Sequence, residues 1–302
     1  MELNNFLIRT ITALFYGVIM IGSVLLGLVP FFIVLSVIII LSVLELNNLF
    51  KLIEIKIKPS LLILFCLTYL VVYLLNIFNK LQDIVLLAII FCLFIFYVLI
   101  EFFIKSIKPI HNIVFTLFTF FYVTIPISLL LNYVIIESNL IYSNSNINLS
   151  GKDLLIKDIF FLNKNNEFIY TSKIIIAFYS IIWIYDTFAY LIGVSLGKRK
   201  LLKHISPNKT VEGFIGGLLI TIFISLFFRN FFNFFSTIQW VIFSFIIAIF
   251  ATIGDLFESM IKRFFKVKDT GNILPGHGGI LDRIDSILIA SPIGFLLLKI
   301  FL

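Results

Sequence analysis

Long apolar runs separated by short polar breaks set the character of this chain. They fall at about 10–28, 30–49, 61–78, 84–104, 112–135, 173–196, 213–228, 237–261 and 286–302. Each approaches the roughly 20 residues that a helix needs to cross a bilayer. In lipid only a helix satisfies its own backbone at this apolarity, so a barrel is excluded. The pattern predicts an all-α, polytopic integral membrane protein with about nine transmembrane helices. The first two helices divide near Gly27 and Pro30. Polar residues are unevenly spread along the chain. The helices before 172 are almost uniformly apolar, whereas from 183 onward charges crowd into helix ends and two loops. This predicts an N-terminal set of membrane helices over 1–172, with an external loop at 136–172, and a C-terminal catalytic membrane region over 173–302.

Composition sharpens the class. Hydrophobic residues make up 61% of the 302 and charged residues 13%; mean hydropathy is +1.15. A compact soluble domain has too little interior for that much apolar surface, so a soluble enzyme, a disulfide-stapled secreted domain and a disordered chain are excluded. Cys66 and Cys92 both lie in apolar runs and read as small hydrophobes. The net charge of +7 reflects orientation in the membrane, not affinity for nucleic acid. With a cytoplasmic N-terminus and alternating spans, 16 of the 23 basic residues fall on the inside, as the positive-inside rule requires. The first apolar run lacks a cleavage-site pattern and is expected to be a retained helix. The sequon at Asn148 is taken as chance.

Four polar groups remain as candidates for chemistry. Asp186 sits deep in the sixth run, with Tyr190 and Gly193 on its face; an acidic residue there costs about 2.5–3.5 kcal/mol on insertion scales and marks function by default. The loop from Gly197 to Gly213 carries Lys198, Arg199, Lys200, Lys203 and Lys209. Its Ser206-Pro207-Asn208-Lys209-Thr210 segment predicts a turn running straight into a helix, an anion cradle of hydroxyls, lysine and helix N-terminus. Asp255, Glu258, Ser259 and Lys262 share one helical stripe about 100° wide. The last group runs from Lys266 through Lys268, Asp269, Thr270, Gly271, Pro275, Gly276, His277, Gly278 and Gly279 to Asp282, Arg283 and Asp285. Its glycines let a backbone approach phosphate closely, and Asp282, Asp285 and Asp255 are hard oxygen ligands suited to Mg²⁺.

Residues 259–286, SMIKRFFKVKDTGNILPGHGGILDRIDS, resemble the signature of the phosphatidate cytidylyltransferase (CDP-diglyceride synthase) family. The resembling pattern is S-x-x-K-R, a K-D pair, P-G-H-G-G and D-R-x-D. Upstream, D-T-x-A-Y at 186–190, S-P-x-K-T-x-E-G at 206–213 and G-D-x-x-E-S at 254–259 match as well, so the resemblance covers about 183–302. It implies a nine-helix membrane enzyme, a homodimer in the inner (cytoplasmic) membrane, that makes CDP-diacylglycerol and pyrophosphate from CTP and phosphatidic acid. It also implies a metal pair, Mg²⁺ with a monovalent ion such as K⁺, held by Asp255 and Asp282 with Asp285 in the same site.

The residues lead to the same reaction class. Two anionic reactants meeting at the membrane surface need metal and basic groups to offset their repulsion. On this reading Asp255, Asp282 and Asp285 hold metal. Lys209, Lys262, Arg263 and Arg283 pair with phosphates, and Ser206, Thr210, Ser259 and His277 orient them. Asp186, Lys268, Asp269, Gly278 and Gly279 complete the substrate contacts. A secondary transporter for an anionic metabolite would also use Asp186 and a basic cavity, but such proteins build midplane sites from repeated halves, and this chain shows an end-loaded cluster and no repeat.

Overall fold

The computed structural model describes residues 2–55, 57–79, 83–103, 108–137, 168–232, 234–271, 273 and 278–302. Each of the nine apolar runs lies on a helix. The helices in the first half are α1 (Glu2–Leu26), α2 (Leu28–Lys51), α3 (Pro59–Asn79), α4 (Asp83–Phe103) and α5 (Pro109–Thr119), which continues through a π-helical turn at Phe120–Thr124 into α6 (Ile125–Leu129). Those in the second half are α7 (Lys173–Leu196), α8 (Val211–Ser225), the single turn α9 (Phe228–Phe231), α10 (Thr237–Phe264) and α11 (Leu281–Phe301). Among the described residues, six helical stretches are long and apolar enough to cross a membrane: Leu28–Lys51, Pro59–Phe78, Pro109–Tyr133, Lys173–Leu196, Thr237–Phe264 and Leu281–Phe301. Leu14–Leu26, Ala88–Ile100 and Val211–Ser225 are shorter apolar stretches.

Sequence accounts for the breaks. Gly27 separates α1 from α2 with φ of +120°, a conformation that glycine adopts without strain. Pro30 sits in the first turn of α2, where a missing N–H costs nothing. Pro126 cannot donate the backbone bond that a continuous α-helix needs from that position, and the helix ahead of it widens into the π turn.

The chain divides into two compact units. Of the described residues, the first holds those in Met1–Leu131 and Val267–Arg283. Its interior is aromatic: Phe50 packs at a tilt against Phe115 with centroids 4.3 Å apart, and Phe120 packs on Phe65 at 5.0 Å and Tyr69 at 4.8 Å. The second unit holds Asn132–Phe160, Asn165–Lys266 and Ile284–Leu302. Its core is built around Trp240, which is fully buried among Phe228, Phe235 and Phe243. Two small ribbons belong to it. Strand β1 (Ile135–Glu137) pairs antiparallel with β2 (Phe168–Tyr170) at the two ends of the expected external loop; that loop's residues 138–167 lie outside the described residues. Strand β3 (Lys200–Leu202) pairs antiparallel with β4 (Ser206–Thr210).

The tightest packing in the second unit is between α7 and α8. A Cβ added at Gly213 would lie 2.5 Å from the Ala189 carbonyl oxygen, and one at Gly217 would lie 2.9 Å from the Ala189 backbone nitrogen. Ala189, Gly193, Gly213 and Gly217 form a small-residue seam that lets two membrane helices meet backbone to backbone.

Candidate active site

The second unit draws its site residues from the middle of α7, the C-terminal part of α10, the start of α11 and β4. The position of α10 is set at its start by a capping box: Gln239 N–H donates to the Ser236 hydroxyl at 3.3 Å, and Ser236 N–H to the Gln239 side-chain oxygen at 2.8 Å. Its 28 residues span about 42 Å at 1.5 Å per residue, well beyond a hydrocarbon core of about 30 Å. The Asp255–Lys262 stripe lies about 27–38 Å along the helix, at and beyond the length of such a core.

Gly254 decides how close α11 comes. A Cβ there would overlap the Asp285 carbonyl oxygen and lie 3.0 Å from the Ser286 Cα, so only glycine lets the two backbones touch. That contact brings the neighbouring carboxylates together. Oxygen atoms of Asp255, Glu258 and Asp285 all lie within 4.8 Å of one another. Lys209 on β4 forms an ion pair with Asp255, and Lys262 pairs with Glu258, one helical turn away, at 2.5 Å. The Ser259 hydroxyl donates to Asp255 at 3.5 Å. Asp186 on α7 is exposed and within electrostatic reach of Asp255 and Lys209. Three hard carboxylates converging on one point suit a divalent cation such as Mg²⁺, and the two lysines beside them suit phosphate.

The expected cradle around Lys209 has a different form. Ser206–Thr210 is a strand, and the turn lies ahead of it at 203–205. Pro207 fits because its fixed φ is compatible with an extended chain and a short ribbon needs few ladder bonds. Thr210 then caps α8, its hydroxyl accepting the Gly213 N–H at 3.1 Å. Glu212 accepts the N–H groups of Lys198 and Arg199, each at 3.0 Å, and so ties the ribbon to the helix. Arg263 donates to the Ile205 carbonyl at 3.4 Å, on the turn of the same ribbon. Ser206 is half-buried on the ribbon.

Other expected residues belong to the first unit. Asp282 Oδ2 accepts three bonds: Thr270 N–H at 3.0 Å, Thr270 hydroxyl at 2.9 Å and Gly279 N–H at 2.8 Å. Lys268 and Asp269 are exposed and Arg283 is half-buried. Gly278 has φ of +82°, and a Cβ there would lie 2.6 Å from Asp282 Oδ2. His277 lies outside the described residues.

Two further glutamates take part. Glu258 joins the carboxylate cluster; its signal was its place one turn from Asp255. Glu45 on α2, 2% exposed, accepts the N–H of Ile280 at 2.7 Å and of Leu281 at 3.0 Å. No local pattern announces that partnership.

These features define a polytopic membrane protein that keeps a carboxylate cluster with paired lysines where α10, α11 and β4 meet. The profile of the Cytidylyltransferase family matches residues 7–301, and the chain belongs to that family. It is 48% identical over 122 residues to a phosphatidate cytidylyltransferase of Bacillus subtilis (strain 168), a stretch covering 40% of this chain and 45% of that protein. Over 115 residues it is 50% identical to the phosphatidate cytidylyltransferase of Staphylococcus aureus (strain COL), covering 37% of this chain and 44% of the relative. The aligned stretch thus spans less than half the length of each of these curated relatives.

Proposed function

We propose that this protein is a phosphatidate cytidylyltransferase, converting CTP and phosphatidic acid into CDP-diacylglycerol and pyrophosphate. The observation that carries the reading is the cluster of Asp255, Glu258 and Asp285 with Lys209 and Lys262 at its rim. An oxygen of the lipid phosphate attacks the α-phosphorus of CTP. The bond from that phosphorus to the bridging oxygen breaks, and its electron pair leaves with pyrophosphate. No side chain needs to form a covalent intermediate.

The cluster's composition fits Mg²⁺, which when bound would neutralise triphosphate charge and polarise the phosphoryl group under attack. The chain's own residues supply the rest. Lys209 and Lys262 are each held by a carboxylate of the cluster. Phosphate oxygens offer each lysine a competing anion, and Asp255 and Glu258, released from their lysines, would be available to hold a cation. Such fixed positive groups act where negative charge gathers in the transition state. Ser259 orients Asp255 by its hydrogen bond. Asp186 faces outward beside the cluster, where a reactant entering sideways from the bilayer would meet it. The resemblance adds Asp282 as a metal ligand and K⁺ as a second ion, and the same reading takes the protein to be a homodimer in the cytoplasmic membrane.

The deciding assay uses purified protein in mixed micelles with phosphatidic acid, Mg²⁺ and CTP labelled in the cytosine ring. Label is expected in the chloroform-soluble fraction, with pyrophosphate released in equal amount. Label that stays entirely in the aqueous phase would sink the reading.

A further inference from the structure

We propose that Glu45 is a positioning residue for the reaction: its carboxylate pins the turn that enters α11 and, through Thr270, holds Asp282 in one orientation. This rests on the cytidylyltransferase reading, because it takes Asp282 as a carboxylate that serves the metal.

The geometry belongs to the first unit alone. Glu45 lies in α2, two turns before its end, and is almost wholly buried. A carboxylate in such a place must have strong partners. Among the described residues its hydrogen bonds run to one turn. Oε1 accepts the Ile280 N–H at 2.7 Å, and Oε2 accepts the Leu281 N–H at 3.0 Å and shares the single Thr270 hydroxyl proton, at 3.3 Å, with Asp282 Oδ2. The first N–H groups of a helix have no partner within it, and here a side chain 235 positions earlier supplies one. Thr270 is the link. Its hydroxyl lies between Glu45 and Asp282, 2.9 Å from Asp282 Oδ2, and its N–H also donates to that oxygen.

Two glycines of the signature record the same arrangement. A Cβ at Gly271 would lie 2.7 Å from Glu45 Oε1, and one at Gly279 would lie 2.5 Å from Oε2. Both glycines make room for the Glu45 carboxylate, which gives them a reason independent of any phosphate. Glu45 is therefore built into the turn that presents Asp282. Partners that orient a metal ligand in this way commonly carry 10–100-fold in affinity or activity.

Glu45→Gln tests this with little change in volume. The amide keeps one acceptor oxygen but turns an NH₂ toward one of the two N–H donors. Leu46→Ala on the same helix is the packing control, since Leu46 is buried and touches none of these bonds. Hydrogen exchange in a peptide covering 268–282 is expected to quicken about tenfold in Glu45→Gln and to stay at the wild-type rate in Leu46→Ala. The Mg²⁺ concentration for half-maximal CDP-diacylglycerol synthesis is expected to rise about 10–100-fold in Glu45→Gln only. If Glu45→Gln does not fold, Glu45→Asp keeps the charge but draws the carboxylate back from the turn, leaves the Thr270–Asp282 bonds in place and carries the same expectation. Unchanged exchange, or faster exchange with an unchanged Mg²⁺ requirement, would overturn the proposal. A wild-type protein without transferase activity would instead end the cytidylyltransferase reading, and the exchange experiment would still decide whether Glu45 pins the turn.

Discussion

Asp282 and Lys209 hold their partners in ways that make different losses visible. Asp282 receives its three described bonds on Oδ2. An asparagine can present its carbonyl oxygen to the same three donors and keep the turn, but it carries no charge for a cation. Asp282→Asn is therefore expected to insert and purify normally while turnover falls to background; wild-type rates at ordinary Mg²⁺ would remove Asp282 from the site. Lys209 is paired with Asp255, so its loss removes a fixed positive group and leaves that carboxylate without its lysine. Lys209→Ala is expected to lower kcat, or raise the KM for CTP, by about 10²-fold, as does loss of one preorganised charge stabiliser. Steady-state kinetics in micelles decide it, and unchanged constants would return the ribbon to a merely topogenic role.

The elements were legible from the sequence to unequal degrees, for physical reasons. Every apolar run gave a helix, because a membrane imposes one solution on a long apolar segment. The stripe of Asp255, Glu258, Ser259 and Lys262 was legible too, since residues one turn apart must meet on a helix, and two of its pairs do. The Ser206–Thr210 segment predicts a turn but forms a strand, because Pro207 is compatible with both and its partner Lys200–Leu202 is only three residues long, too short for an alternating pattern to show. The link from Glu45 to Ile280 spans 235 positions and leaves no local periodicity to read. Gly254 was visible only as a letter of a motif; the contact it permits belongs to two helices at once. Gly254→Ala would drive a methyl into the Asp285 backbone. Such overpacking typically costs about 1–3 kcal/mol, so the variant is expected to melt earlier in detergent and to lose activity beyond what its folded fraction explains. A variant with wild-type melting and wild-type rate would show that α10 and α11 do not need that contact.

At the scale of the whole molecule, charge predicts an orientation. Sixteen of 23 basic residues fall on one side when the N-terminus is placed inside, and on the proposed cytidylyltransferase reading a cytoplasmic nucleotide would reach the ribbon at 200–210. Single cysteines at Asn208 and Asn146, in a background without Cys66 and Cys92, can be probed with an impermeant maleimide. Asn146 is expected to label on intact cells or spheroplasts and Asn208 only after lysis; labelling of Asn208 from outside would invert the protein and sink a CTP-dependent reaction at that face. A last consequence comes from the length of α10. Asp255 stands about 27 Å from the helix start, just at the margin of a hydrocarbon layer of about 30 Å. Bilayer thickness is therefore a control variable for this protein. In liposomes whose bulk lipids have progressively longer tails, with the phosphatidic acid kept the same, a thicker sheet would draw the carboxylates below the waterline unless the helix tilts to escape. The rate is expected to fall steadily beyond a threshold tail length, and a rate indifferent to tail length would mean that the helix rides the membrane by tilting.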